Sequence, residues 1–255
     1  MSINKTAIKT MDILALFYEH EELTLTEMVQ LAGMPKTTVH RLIGSLEEME
    51  FLQKTVRGSY RLGFIFLRFG QLVSKRLSVR NIAKPHMKRL RNRLGQAVNL
   101  IIQDGNEAIY IEKIDGDKPV RVYTEIGKRA PLYAGACPRI LLSYFSEEEQ
   151  RKYIEETNLE RFADGTIVHK ERLLEVLRAA KNKGYTISYS ELENHTAAIA
   201  APILAADGEA VAGISISGLA IEYNETTIPK FITEIQETAQ NISKELGWRE
   251  EKEGA

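Results

Sequence analysis

The stretch from Thr24 to Leu62 constrains the fold most, because two short helices and a hairpin follow one another here without a spacer. Thr24, with Glu27 three residues later, predicts a capping box, and Gly33 predicts the end of that first helix. Pro35 fits the first turn of a second helix, where its missing N–H would have no partner in any case. One tight turn therefore separates the two helices, which is typical of a helix-turn-helix.

The second helix has two chemically different faces. At about 100° per residue, its apolar stripe consists of Val39, Leu42, Ile43, Leu46 and Met49. The opposite side carries Lys36, Thr37, His40 and Arg41, with Gly44 in the same arc and Thr38 at its edge. Lys and Arg bind phosphate or guanine edges, and Thr and His hydrogen-bond to either. We predict that this face reads DNA; the alternative is an ordinary solvated polar face.

The segment after the second helix predicts a small basic wing. Residues 51–55 and 59–62 form two short strand patterns around the turn Val56-Arg57-Gly58. Arg57 and Arg61 on this hairpin are placed to contact backbone phosphate beside the groove. The order predicts a winged helix-turn-helix DNA-binding domain over residues 1–62. Winged helices also serve as protein-interaction modules, so that role stays as an alternative.

Charge is distributed unevenly along the chain. Residues 1–62 contain seven Lys and Arg against eight Asp and Glu, whereas residues 63–95 contain nine basic residues and no acidic one. The whole chain carries a formal net charge of −1. DNA affinity must therefore come from local faces of the winged segment, with the basic connector as a further source.

The composition is that of an ordinary globular protein, with 44% hydrophobic and 27% charged residues over 255 positions, and we expect two domains. A single cysteine excludes an internal disulfide framework and fits a reducing compartment. The N-terminus is too polar for a signal peptide, and no apolar run approaches the ~18 residues of a membrane span. We expect a cytoplasmic protein.

Residues 63–80 predict a linker helix with an apolar stripe that includes Phe66, Phe69 and Val73. A second copy of the same connector is one partner for this stripe. Packing against its own domain is the other.

The remainder of the chain predicts an α+β domain over residues 81–249, followed by a frayed tail at 250–255. The predicted strands are Ala97–Gln103, Glu107–Ile114, Arg121–Ile126, Tyr185–Ser190, Ala197–Ile203 and Ala210–Ser217. The predicted helices cover residues 79–94, 137–145, a segment capped by Ser146 and Glu149, 170–183 and 226–246. Hairpin turns at Asp104-Gly105-Asn106 and Asp207-Gly208 favour an antiparallel sheet with helices on its flanks. Such a domain often encloses a small ligand.

A catalytic reading rests on Cys137, the only cysteine, and His195. A Cys–His pair would supply a nucleophile, but a small thiol at a pocket wall is the commoner arrangement. The sequence contains no Cys-x-x-Cys, His-x-x-x-His or glycine-rich phosphate loop, so we predict no metal and no cofactor. We predict that the protein is not an enzyme, and a winged-helix protein with a catalytic C-terminal domain is the alternative.

Several segments, taken in order, resemble the IclR family of bacterial transcription regulators over nearly the whole chain. They are LTLTEMVQLAGMPKTTVHRLIGSLEEMEF, GSYRLG, Arg121-Val122-Tyr123, Gly127-Lys128-Arg129, Pro131-Leu132, IAAPI at 199–203 and ISISG at 214–218. The resemblance implies a winged helix-turn-helix, a linker helix and an effector domain similar to GAF domains. It also implies a homodimer or homotetramer on operator DNA that represses a metabolic operon and responds to a small organic acid.

The resemblance further implies an effector pocket. The positions that match its lining are Ala136, Cys137, Ser188, Ala198, Ser215 and Ser217. Tyr133 and His195 stand where the family usually has His and Gly, so we expect them to change specificity. Backbone N–H groups at a helix start favour a carboxylate, and two strand serines on one side can bond its other oxygens. Plain strand alternation is the other explanation for the serine spacing.

Overall fold

The computed structural model describes residues 4–76, 78–117 and 124–249, and the chain divides into two compact units, Met1–Leu77 and Ser78–Ala255. No helix in these described ranges is long and apolar enough to cross a membrane. The predicted tail at 250–255 and the first half of the predicted strand Arg121–Ile126 lie outside the described residues. The first unit extends to residue 77 and so includes most of the predicted linker helix.

The N-terminal unit is a winged helix-turn-helix, as predicted. Its elements are α1 (Lys5–Ala15), α2 (Leu25–Ala32), α3 (Lys36–Glu48), β1 (Leu52–Lys54), β2 (Tyr60–Leu62) and α4 (Ile65–Arg76). The capping box of Thr24 and Glu27 starts α2, and Gly33 ends it with a φ of 61°. Pro35 takes the N-cap position of α3 and not its first turn, so the helix begins one residue later than the sequence indicates.

The apolar stripe of α3 packs into the hydrophobic core of this unit. Val39, Leu42, Ile43 and Leu46 are buried against Ile13, Phe17, Met28, Leu52 and Tyr60. Met49, the fifth predicted member, is exposed because α3 ends at Glu48 and the chain turns away. The polar face of α3 is therefore held outward by a continuous core beneath it.

The aromatic stripe on α4 packs within its own unit. The Phe66 and Phe69 rings lie 5.3 and 6.1 Å from the ring of Phe51, between centroids. The side chain of Val73 lies outside the described part of the chain. Phe69 nevertheless stays half exposed, and Phe64, Leu67 and Leu72 add further exposed apolar surface on this segment.

The C-terminal unit is an antiparallel sheet covered by helices on both faces, as predicted. Its helices are α5 (Ser78–Leu94), α6 (Ala136–Ser143), α7 (Glu147–Glu156), α8 (Lys170–Lys183) and α9 (Ile228–Glu245). Its strands are β3 (Ala97–Asp104), β4 (Glu107–Ile114), β5 (Arg129–Pro131), β6 (Thr186–Tyr189), β7 (Thr196–Leu204) and β8 (Ala210–Leu219), in the spatial order β5-β4-β3-β8-β7-β6. Helices α6 and α8 cover one face, and α5 and α9 cover the other.

The third strand lies later in the chain than the sequence indicates. The described end of the predicted strand, residues 124–126, is not extended in the sheet, and β5 pairs with β4 through Ala108 and Ala130. The reason is a turn at Ile126-Gly127, where Gly127 has a φ of 90° and its N–H donates to the Tyr110 carbonyl at 2.7 Å. After this turn the chain aligns with β4.

Candidate nucleic-acid interface and ligand cavity

The exposed face of α3 carries the predicted DNA-reading residues. Lys36, Thr37, His40 and Arg41 are exposed, and Thr38 is half-buried at the edge of the face, next to the core residue Val39. A Cβ placed at Gly44 would meet no heavy atom within 4 Å, so the middle of this face is open. The structure therefore brings four of the five predicted side chains to one open surface.

The start of α3 leaves its backbone N–H groups open to an external anion. Pro35 offers no side-chain acceptor at the N-cap, and the first turn contains no acidic residue. The positive end of the helix dipole is therefore not compensated by a cap, as it is in α2 by Glu27. Such a helix start binds phosphate oxygens.

The wing presents both predicted arginines to solvent. Arg57 is exposed at the tip, and Arg61 on β2 donates to the Gln53 side-chain oxygen at 3.2 and 3.3 Å. Gln53 is uncharged, so this contact orients the guanidinium without neutralising it. The base of the wing is tied to the rest of the unit by Ser59, which donates to the Glu22 carboxylate at 2.8 Å.

Three of the nine cations in the basic run 63–95 form ion pairs within the C-terminal unit, and a contribution of the run to DNA affinity stays a prediction. Arg80 and Lys84 on α5 both contact the Glu112 carboxylate, at 2.9 and 2.7 Å. Arg93 contacts Glu234 on α9 at 2.9 Å. Acidic residues of β4 and α9 face this helix, and they are distant from it in sequence. These cations are therefore engaged in holding α5 to the sheet and to α9.

A cavity of about 260 Å³ lies between the start of α6 and the sheet. Its wall includes six of the predicted pocket residues, namely Ala136, Cys137, Ser188, Ala198, Ser215 and Ser217. Strand register explains the grouping: Ser217 pairs with Ala198, and Ala198 pairs with Ser188, so three strands place these residues in one row. Whether an effector contacts them stays a prediction.

Two predicted residues lie outside the cavity wall. The Tyr133 side chain is buried, and its hydroxyl donates to the Glu160 carbonyl at 2.9 Å. His195 is exposed in a tight turn with a φ of 63°, and its N–H donates to the Ser190 hydroxyl at 3.1 Å. The turn requires the left-handed backbone conformation that glycine adopts most easily. Both residues lie in segments next to wall residues such as Gly135 and Thr196, but neither of their side chains is part of the cavity wall.

Sequence reasoning missed several wall residues, among them Asn99, Tyr110, Thr124, Lys128 and Glu191. Strand alternation could have found Asn99, because it pairs directly with Ser215 across β3 and β8. Lys128 lies in the segment Gly127-Lys128-Arg129, but the sequence indicated no role for its side chain. Glu191 follows the last strand residues of β6 by two positions, and nothing in its local sequence indicates a buried carboxylate.

The N–H groups of Gly135 and Ala136, at the start of α6, already have partners within the protein, which counts against their binding a ligand carboxylate. Gly135 donates to the Glu191 carboxylate at 2.9 Å, and Ala136 donates to the Ser188 hydroxyl at 3.0 Å. Arg139, only 1% exposed, forms an ion pair with Glu191 and donates to the Ile187 carbonyl at 2.7 Å. A carboxylate of the protein itself therefore occupies the anion site of this helix.

Two titratable groups of the wall, Cys137 and Tyr110, have a raised pKa. Burial raises the pKa of the Cys137 thiol to about 12, although a hydrogen bond with Ser215 opposes the rise. Burial also raises the pKa of Tyr110 well above its ordinary value. The wall includes Cys137 and not His195, so the Cys–His pair considered from the sequence is not assembled there. The thiol is a small neutral surface and not an activated nucleophile.

Comparisons with known proteins cover nearly the entire chain. The family model for the IclR helix-turn-helix domain matches residues 6–55, and that for the bacterial transcriptional regulator IclR C-terminal domain matches residues 71–244. The chain is 50% identical over 245 residues to the HTH-type transcriptional regulator KipR of Bacillus subtilis (strain 168), which covers 96% of this chain and 98% of that protein.

Solved structures show the same fold. The crystal structure of the Thermotoga maritima IclR is similar with a TM-score of 0.83 and 27% identity, covering 95% of this chain and 99% of that one. An IclR homologue from Microbacterium hydrocarbonoxydans, complexed with 4-hydroxybenzoate, has a TM-score of 0.83 at 23% identity, with coverage of 95% and 99%.

Proposed function

The chain belongs to the IclR family of bacterial transcriptional regulators, and we propose that it is a repressor whose affinity for operator DNA is set by a small organic acid. The observation that carries the DNA-binding half is the outward face of α3, whose helix start has no internal anion. The observation that carries the effector half is the cavity itself, whose wall contains the row of small residues Ser188, Ala198 and Ser217 on three adjacent strands.

The DNA contact places α3 in the major groove. Arg41 and His40 lie along the exposed face where base edges are reached, and Lys36 stands at the helix start where phosphate binds. Arg57 at the wing tip contacts backbone phosphate of either strand. Base contacts supply specificity and phosphate contacts supply affinity, so the two groups of residues have separable effects.

The operator complex is a homodimer or homotetramer on a roughly palindromic site. A single winged helix buries too little surface for operator affinity, and two-fold pairing doubles the contact. Apolar surface available for pairing on this segment comes from Phe64, Leu67 and Phe69, which are exposed, whereas Phe66 packs on Phe51. A monomeric sedimentation mass at a concentration that saturates the operator would contradict this assembly.

The effector acts by linkage. An acid that weakens operator binding tenfold must itself bind the operator complex tenfold more weakly than the free protein. In this proposal the operator overlaps a promoter, and the oligomer bound there in the cytoplasm represses transcription by blocking the access of RNA polymerase. The Microbacterium homologue with 4-hydroxybenzoate supports a small carboxylic acid as the class of ligand.

The test begins with sequencing the genomic DNA fragments that the full-length protein enriches, which identifies the operator. Calorimetry with a panel of small carboxylates, with and without that operator, then measures the coupling. We expect at least one acid to bind more weakly in the presence of operator, and a promoter reporter to be silenced by the protein and released by that acid. Binding that is identical with and without DNA would refute the switch, and turnover of the acid would indicate a catalytic domain instead.

A further inference from the structure

The cavity has an uncharged inner end. Asn99 is buried there and donates to the Ser217 hydroxyl at 3.0 Å, and the buried Ser215 lies in the same wall. Tyr110 is 8% exposed, and its hydroxyl has no hydrogen-bond partner among the described residues. This hydroxyl can both donate and accept, and the Ser217 hydroxyl, which accepts from Asn99, keeps its proton to donate, so the inner end suits an uncharged hydrogen-bonding group.

The charges of the cavity are arranged unfavourably for a second buried anion. The Glu191 carboxylate, 5% exposed, lies in the wall and already holds the Gly135 N–H and the Arg139 guanidinium. Arg139 itself is not part of the wall. A ligand carboxylate at the inner end would therefore lose its hydration beside a like charge, without a free cation to replace the water.

The rim is open to solvent and carries two cations, Lys128 and Arg129, beside one exposed carboxylate, Glu193. Lys128 lines the cavity, is exposed, and has no ion pair among the described residues. Arg129, the other rim cation, is paired with Asp104 and with Glu107. A carboxylate beside Lys128 keeps part of its hydration and gains an opposite charge.

Building on the function proposed above, we propose that the inner end receives an uncharged hydrogen-bonding group, an amide or a hydroxyl, and that the carboxylate of the effector stays at the rim beside Lys128. The effector class is accordingly an acid with a neutral polar group at its far end. Tyr110 and Ser217 bind that neutral group and therefore determine specificity for it. The carboxylate, which all such acids share, contacts only Lys128.

The test uses three compounds of equal length that differ only in charge: succinamate, succinate and succinamide. Calorimetry with the full-length protein at pH 7, without DNA, is expected to show succinamate binding about tenfold more tightly than succinate, whose second carboxylate would have to be buried. Succinamide, which lacks the rim contact, is expected to bind about two- to fivefold more weakly than succinamate. Succinate binding as tightly as succinamate, or no binding by any of the three at millimolar concentration, would overturn the proposal.

Variants separate the two ends. Lys128→Gln is expected to weaken succinamate and leave succinamide unchanged, while Tyr110→Phe weakens both compounds by the same factor. Lys230→Gln on α9, an exposed lysine on the opposite face of the sheet, is the matched control and should change neither. An equal effect of Lys128→Gln on both compounds would place the carboxylate elsewhere.

Glu191→Gln removes the internal anion and leaves the Arg139 charge unbalanced, so it should raise succinate affinity relative to succinamate. Because this variant can lose its fold, circular dichroism accompanies it, and the Lys128→Gln comparison stands without it. All these measurements omit DNA, so they test the ligand orientation separately from the proposed switch. If operator DNA has no effect on ligand binding, the switch is refuted but the orientation stands. If succinate binds more tightly than succinamate, the orientation is refuted but the switch stands.

Discussion

Replacing Arg139 by methionine is expected to destabilise the C-terminal unit strongly, because it leaves the Glu191 carboxylate buried without its cation. The guanidinium is 1% exposed and bonds to Glu191, to the Thr186 hydroxyl and to the Ile187 carbonyl. Methionine fills a similar volume, so the change removes charge and hydrogen bonds more than packing. One hydrogen bond to the carboxylate, from Gly135, would remain.

Breaking one side of a buried ion pair costs about 3–5 kcal/mol of unfolding free energy, which corresponds to a shift of the urea midpoint of about 1–3 M. Trp248 is the only tryptophan, and it follows α9 in the C-terminal unit, so its fluorescence reports the unfolding of that unit alone. The double variant Arg139→Met with Glu191→Gln should recover part of the loss, because no unpaired charge is left.

The control is Arg172→Met, which removes an arginine whose pair with Glu175 is exposed on α8 at 2.9 Å. Such a pair contributes about 0–1 kcal/mol, so the midpoint should hardly move. Equal small shifts for Arg139→Met and Arg172→Met would refute the reasoning. So would a double variant that is less stable than either single variant by the full sum of their losses.

Three further outcomes are expected. Arg41→Ala should cost about 1–3 kcal/mol on the specific site and relax preference at one base pair, whereas Arg57→Ala should weaken all sequences alike and lower the salt slope, as measured by anisotropy titrations. Ser217→Ala should raise the dissociation constant of the effector about two- to tenfold in calorimetry, because it removes a hydrogen bond to an uncharged group, with DNA binding in its absence nearly unchanged. Because the folded pKa of Cys137 is raised to about 12, its contribution to stability is complete below about pH 9 and is lost as the pH rises through the folded value. Urea midpoints should accordingly fall less above pH 9 in Cys137→Ala than in the wild type, and iodoacetamide at pH 8 should leave the native thiol unmodified.

Local features of this fold were predictable from the sequence because their partners are near neighbours. The capping boxes of Thr24 with Glu27 and of Ser146 with Glu149 form as predicted, and α8 ends at Gly184 as predicted. The two faces of α3 follow from helical periodicity. Each of these features depends on residues three or four positions apart, so the chain specifies them before any tertiary contact exists.

Tertiary structure alone decided which groups remain free to act. Glu191 reaches the Gly135 N–H across 56 positions, and this contact converts an expected anion site into a closed one. Likewise Glu112 forms ion pairs with both Arg80 and Lys84, which the sequence presents as part of a basic run. The sequence shows which charged residues a segment contains. The order of the strands and the placement of the helices determine which oppositely charged residues lie beside them. The winged helix was therefore predictable from the sequence alone, whereas the polarity of the cavity became visible only when the sheet brought its distant residues together.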